Sequence, residues 1–154
     1  LSSFLFKPEF IKKLATDFPN IIGVKDSSYN LYESLKIPNF LIFPGSETKL
    51  LKGLELGNSG IISAICNVTA PLARKVFDDF EKKKEQTQND KLIAVRNVFD
   101  KYNLISALHS YMSSKDDNFK NLLPPLVLLN SKEKKELISE LENLKFEIKN
   151  NLAA

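Results

Sequence analysis

Cysteine and histidine occur once each in these 154 residues, glycine only five times, and no apolar run approaches the length of a membrane span. A single thiol, Cys66, excludes an internal disulfide and fits a reducing compartment. A single imidazole, His109, has no acidic or thiol partner at ligand spacing, so no zinc or other metal site is expected. Crossing a bilayer as a helix takes roughly 18 consecutive apolar residues, so no membrane partner is expected. The opening Leu1-Ser2-Ser3-Phe4-Leu5-Phe6-Lys7 has no basic segment ahead of a long apolar core, so it does not read as a signal peptide. The expectation is a soluble, intracellular protein.

The formal charge of +3 comes from lysines spread along helical segments and balanced by nearby glutamates. No compact arginine-rich stripe with interleaved aromatics appears, and nucleic acid is not an expected partner. A P-loop and a dinucleotide fingerprint are also missing. The chain begins on Leu1 rather than on methionine, in what reads as a loop between a strand and a helix. That start suggests a piece of a larger polypeptide.

What is present alternates between two periodicities. Residues 7–17 read as a helix with Phe10, Ile11 and Leu14 on one stripe. Pro19-Asn20 breaks it ahead of a strand over Ile21–Val24. Asp26, Ser27, Ser28 and Asn30 are turn and capping residues for a short helix over 30–35. Phe40–Phe43 reads as a second strand, followed by Pro44-Gly45-Ser46-Glu47 and a helix over 48–56. Gly57-Asn58-Ser59-Gly60 is a turn signal, and Ile61–Cys66 reads as a third strand covered on both faces. This βαβαβ order, with short connections, predicts parallel pairing with chemistry at the strand C-termini. From Pro71 the texture is helical: a helix starts at Pro71, and others span 89–99, 104–111 and 131–149, the last capped by Ser131.

Lys25 is the candidate for chemistry. It stands where a buried strand passes into a loop, a place where an amine is desolvated yet still reaches a substrate. A lysine whose ordinary pKa of about 10.4 is lowered by burial attacks carbonyls and forms an iminium, an electron sink for making or breaking C–C bonds. Alternation puts Lys25 on the face of Ile21 and Gly23, and Gly23 leaves room beneath it. Asp26 alternates away and reads as a structural cap. Gly45 and Ser46 can offer a backbone amide and a hydroxyl to a bound carboxylate or carbonyl, and they also suit a plain turn. Tyr29 and Tyr32 lie beyond the lysine, in a position to line its entrance, with packing as the default reading.

The block Ile22-Gly23-Val24-Lys25-Asp26-Ser27-Ser28, then Phe43-Pro44-Gly45-Ser46-Glu47, then Gly60-Ile61-Ile62-Ser63-Ala64-Ile65-Cys66-Asn67-Val68-Thr69-Ala70-Pro71, resembles the dihydrodipicolinate synthase and N-acetylneuraminate lyase superfamily. Among its branches the chain is most similar to the archaeal 2-keto-3-deoxygluconate aldolases. The resemblance implies an α/β fold, the C-terminal part of a (β/α)8 TIM barrel (strands 6 to 8) over residues 1–86, followed by an extra helical region over 87–154. It implies Lys25 as the Schiff-base lysine, Gly45, Ser46, Ile62 and Ser63 as residues binding the pyruvyl end of a 2-keto acid, and Asn67 and Pro71 as structural.

It implies no metal and no organic cofactor, a cytoplasmic location, and a homotetramer of complete subunits. The family's strand 2 Gly-Thr-Thr type loop and its strand 5 tyrosine have no counterpart here, and none of the four tyrosines occupies that position. The basic residue often seen before the family's proline pair is also missing at Leu122-Leu123-Pro124-Pro125, which leaves phosphate recognition open. A missing N-terminal half-barrel, on the same polypeptide or on a partner chain, is therefore expected. With it, the expected activity is cleavage of a 2-keto-3-deoxy sugar acid to pyruvate and an aldehyde. Alternatives are condensation of pyruvate with aspartate semialdehyde, and a half-barrel partner protein without turnover.

Overall fold

Pro8, whose missing N–H costs nothing in a first turn, opens α1 (Pro8–Asp17) in a computed structural model that describes residues 5–148. The opening residues 1–4 and Lys149 lie outside that range; the final helix, expected over 131–149, ends at Asn143. Of the expected apolar stripe on α1, Ile11 is buried. Phe10 stays exposed, its ring stacked on that of Phe6. The chain then forms β1 (Gly23–Asp26) and β2 (Leu41–Pro44), which pair in parallel with Lys25 opposite Phe43 and Asp26 opposite Pro44.

The expected third strand over Ile61–Cys66 does not form among the described residues; the sheet has two strands. The segment does approach β2, since Ser59 N donates to Ile42 O at 3.0 Å and Ile62 N to Pro44 O at 3.1 Å. Those bonds span two residues on β2 and three on the facing segment, so the register slips by one. Gly60 takes up the slip at φ 136°, a conformation open to glycine. The expected helix over 30–35 is also absent, reduced to one turn in which Leu35 N bonds Leu31 O at 2.8 Å. Asp26 accepts from Leu31 N and Tyr32 N at the start of that turn, as a cap does.

A one-turn 3-10 segment, Glu47–Lys49, leads into α2 (Leu50–Glu55), which buries Leu50 and Leu54. Helix α3 (Cys66–Glu81) begins five residues before the expected start and carries Pro71 inside it. Cys66 is thus the first residue of a helix and half-buried, where a buried strand cysteine had been the expectation.

Packing divides the chain into two compact units, residues 5–63 with 76–86, and 64–75 with 87–148. In the first, Ile11, Leu31, Tyr32, Leu35 and Ile42 form the core. In the second, α4 (Asn89–Phe99), α5 (Leu104–Met112) and α6 (Ser131–Asn143) surround Val95, Phe99, Leu108, Leu137 and Leu141. The Phe99 ring meets Tyr111 edge-on at 5.9 Å, and Tyr111 stacks on Phe146 at 6.1 Å. The cap of α6 is Asn130, not Ser131. Its side chain accepts from Lys132 N and Glu133 N at 3.0 Å, and Glu133 returns a bond to Asn130 N at 3.1 Å.

Candidate functional site

The parallel register brings the C-terminal ends of β1 and β2 side by side, and Gly45 N donates to Asp26 O at 2.9 Å just beyond them. The bond from Ile62 N to Pro44 O sets the third segment on the other side of β2. Lys25, Gly45 and Ser46, and Ile62 and Ser63 therefore stand on three neighbouring segments of the first unit, all at the same end. Lys25 is exposed rather than desolvated in the described structure. At Gly23 a Cβ would lie 2.6 Å from Leu41 O, so its bareness admits β2.

Asp26, 1 % exposed, organises the loop behind Lys25. One carboxylate oxygen accepts from Ser28 N, Ser28 Oγ and Tyr29 N at 2.8–3.1 Å, the other from Leu31 N and Tyr32 N at 2.9 Å. The role is structural, as alternation predicted. It holds Tyr29 at φ 61°, a left-handed conformation unusual for tyrosine, and that cost is carried by the anchored loop. Lys49 Nζ lies 5.6 Å from the Tyr29 ring centre and 5.9 Å from that of Tyr32. The Tyr32 hydroxyl donates to Glu33 at 2.6 Å, and that bond together with burial pushes the phenol up to about 12.

Gly45 packs against the first loop, since a Cβ there would meet Ser27 Oγ at 3.1 Å and Ser27 Cα at 3.2 Å. Ser46 is buried and caps the 3-10 turn, accepting from Thr48 N at 3.3 Å while its hydroxyl lies 3.0 Å from that of Thr48. Ser63 Oγ donates to Glu47 Oε2 at 2.8 Å, and Glu47 is fully buried. Sequence reasoning missed Glu47. Its only signal was an acidic residue directly after Gly45-Ser46, a pattern that ordinary turns share.

Asn58 was read only as a turn residue, yet it is buried and its Nδ2 donates to Tyr32 O at 2.9 Å, tying the second turn to the first loop. A cavity of about 290 Å³ opens at the other end of the strands, beside Pro38, Phe40, Ile42 and Asn58. His109 sits on α5 with Nδ1 3.0 Å from Phe119 O and its ring edge-on to Phe119, a packing role. Among the described residues no group of His, Cys, Asp and Glu is placed to hold a metal ion, and no helix is long and apolar enough to cross a membrane.

Comparison with known proteins bears on the arrangement. The profile of the Dihydrodipicolinate synthetase family matches residues 1–144. The chain is 27% identical over 127 residues to a 2-dehydro-3-deoxy-D-gluconate/2-dehydro-3-deoxy-phosphogluconate aldolase from Picrophilus torridus, covering 77% of this chain and 47% of that one. It is 39% identical over 74 residues to the 4-hydroxy-tetrahydrodipicolinate synthase of Buchnera aphidicola, covering 45% of this chain and 25% of the relative. A crystal structure of dihydrodipicolinate synthase from Thermotoga maritima superposes with a TM-score of 0.78 at 19% identity, over 90% of this chain and 50% of that one. The α/β fold is shared, and the chain spans about half the length of these proteins or less.

Proposed function

The chain belongs to the dihydrodipicolinate synthetase family, and on that premise we propose that Lys25 is the Schiff-base lysine of a pyruvate-dependent class I aldolase. The observation that carries the reading is the convergence of Lys25, Gly45-Ser46 and Ile62-Ser63 at one end of a parallel array. In this reading the chain is the C-terminal part of a (β/α)8 barrel, with β1 and β2 as strands 6 and 7 and the segment after Gly60 in the place of strand 8. The remaining strands come from an N-terminal half, on the same polypeptide or on a partner, within a tetramer of complete subunits.

The neutral Lys25 amine attacks the C2 ketone of a 2-keto-3-deoxy sugar acid and water leaves, giving an iminium. The C3–C4 bond then breaks. Its electron pair passes into the iminium as an enamine, while the C4 hydroxyl gives up its proton and becomes an aldehyde. Protonation of the enamine at C3 and addition of water to the resulting iminium release pyruvate and regenerate the amine. In this reading the group that takes the C4 hydroxyl proton, and the walls that enclose the exposed Lys25, come from the N-terminal half. Gly45, Ser46, Ile62 and Ser63 line the pyruvyl end.

A second reading is favoured by the 39% identity to the Buchnera synthase. In it the same enamine adds to aspartate semialdehyde, forming rather than breaking a C–C bond. Incubating the isolated protein with pyruvate and borohydride, then mapping peptide masses, tests what both readings share. A reduced pyruvyl adduct on the Lys25 peptide is expected, and Lys25→Arg abolishes it. No adduct from folded material containing both halves would sink the two readings together. Glyceraldehyde against aspartate semialdehyde as second substrate separates them.

A further inference from the structure

Glu47 lies between two residues placed at the pyruvyl end, Ser46 before it in sequence and Ser63 bonded to it in space. The Gly60–Ser63 segment forms no regular ladder with β2, because the register slips at Gly60; Ile62 meets β2 through its N–H, which donates to Pro44 O at 3.1 Å. The next residue, Ser63, donates its hydroxyl to Glu47 Oε2 at 2.8 Å. Glu47 itself is fully buried and begins the short 3-10 turn capped by Ser46. A buried carboxylate holds a hydroxyl donor strongly, since leaving such an acceptor short of partners in a low dielectric is costly.

We propose that Glu47 is a positioning residue that fixes Ile62 and Ser63 against the end of β2, acting on the pyruvyl end through Ser63 rather than by touching substrate. Only the consequence for pyruvate rests on the aldolase reading. One acidic side chain joins the two loops, so a small displacement of Glu47 moves both walls of the site together, and walls displaced in that way hold bound pyruvate less tightly.

The test compares wild type, Glu47→Gln, Glu47→Ala and Ser63→Ala in the chain composition in which the protein is isolated. Hydrogen exchange is read at Ile62 and along β2, and borohydride trapping is followed over a range of pyruvate concentrations. Positioning makes exchange at Ile62 about tenfold faster in both alanine variants, with the β2 amides unchanged, and raises half-saturating pyruvate about tenfold. The saturated trapping rate falls less than about threefold, the pattern of lost binding rather than lost chemistry. Glu47→Gln, which keeps an acceptor oxygen, recovers most of both.

Unchanged exchange at Ile62 overturns the proposal. So does a loss of protection spread evenly over β1 and β2, the mark of a plain fold contact. If Glu47→Ala does not fold, Ser63→Ala, which removes only a half-buried hydroxyl, carries the same two readouts. A wild type that traps no pyruvate counts against the aldolase reading, and the exchange measurement then decides the positioning by itself.

Discussion

Tyr32 is the residue whose environment yields a definite pH response. Its hydroxyl is committed to Glu33, and the phenol is raised from 10.0 to about 12. A raised value means that the fold holds the neutral phenol more tightly than the unfolded chain does. The stabilisation is therefore complete below pH 10 and is lost as pH rises from 10 through 12. Urea midpoints of wild type and Tyr32→Phe, compared from pH 8 to 12, should differ at the low end and converge towards the high end. A constant gap across that range would show that the phenol proton plays no part. Asp26 marks a different lesson at this scale. Its structural role was legible because alternation turned it away from Lys25, yet the number of amides it gathers was not, because that depends on a loop closing around it.

At the scale of elements, legibility followed local signals. The spans of α4 and α5 agree with expectation because their apolar spacing and flanking polar residues are contained within the helix itself. The third strand failed for the opposite reason: Ile61–Ile65 is apolar enough for a covered strand, but Gly60 shifts the register and the chain turns into α3 instead. Pro71 misled because proline favours the first turn of a helix, whereas here it stands inside α3, which begins at Cys66. The cap of α6 was misplaced by one residue, and the structure makes the correction measurable. Asn130 holds both bonds of the capping box, so Asn130→Ala should cost about 1 kcal/mol and Ser131→Ala almost nothing. Chemical denaturation of the two variants checks it; equal losses would return the cap to Ser131.

At the scale of the whole molecule, β1 has a partner on one side only among the described residues. The carbonyls of Ile22 and Asp26 receive bonds from Leu41 N and Gly45 N, so in an extended parallel strand the backbone groups of Gly23 and Lys25 point the other way, to the open edge. Ile22, which leads directly into β1, is apolar and 62 % exposed. Unpaired strand edges beside exposed apolar surface are places where another strand docks. In the half-barrel reading, the docking strand pairs through the backbone of Lys25 itself and so orients the proposed Schiff-base residue. In the described chain by itself, the amides of Gly23 and Lys25 should exchange roughly tenfold or more faster than those of Val24 and Asp26, which face β2. Supplying the remaining strands, on one polypeptide or as a partner, should slow Gly23 and Lys25 to the rate of their neighbours and raise pyruvate trapping in the same samples. Protection at Lys25 without added strands would mean that the edge is already closed by the chain's own association, and its loss on dilution would show it.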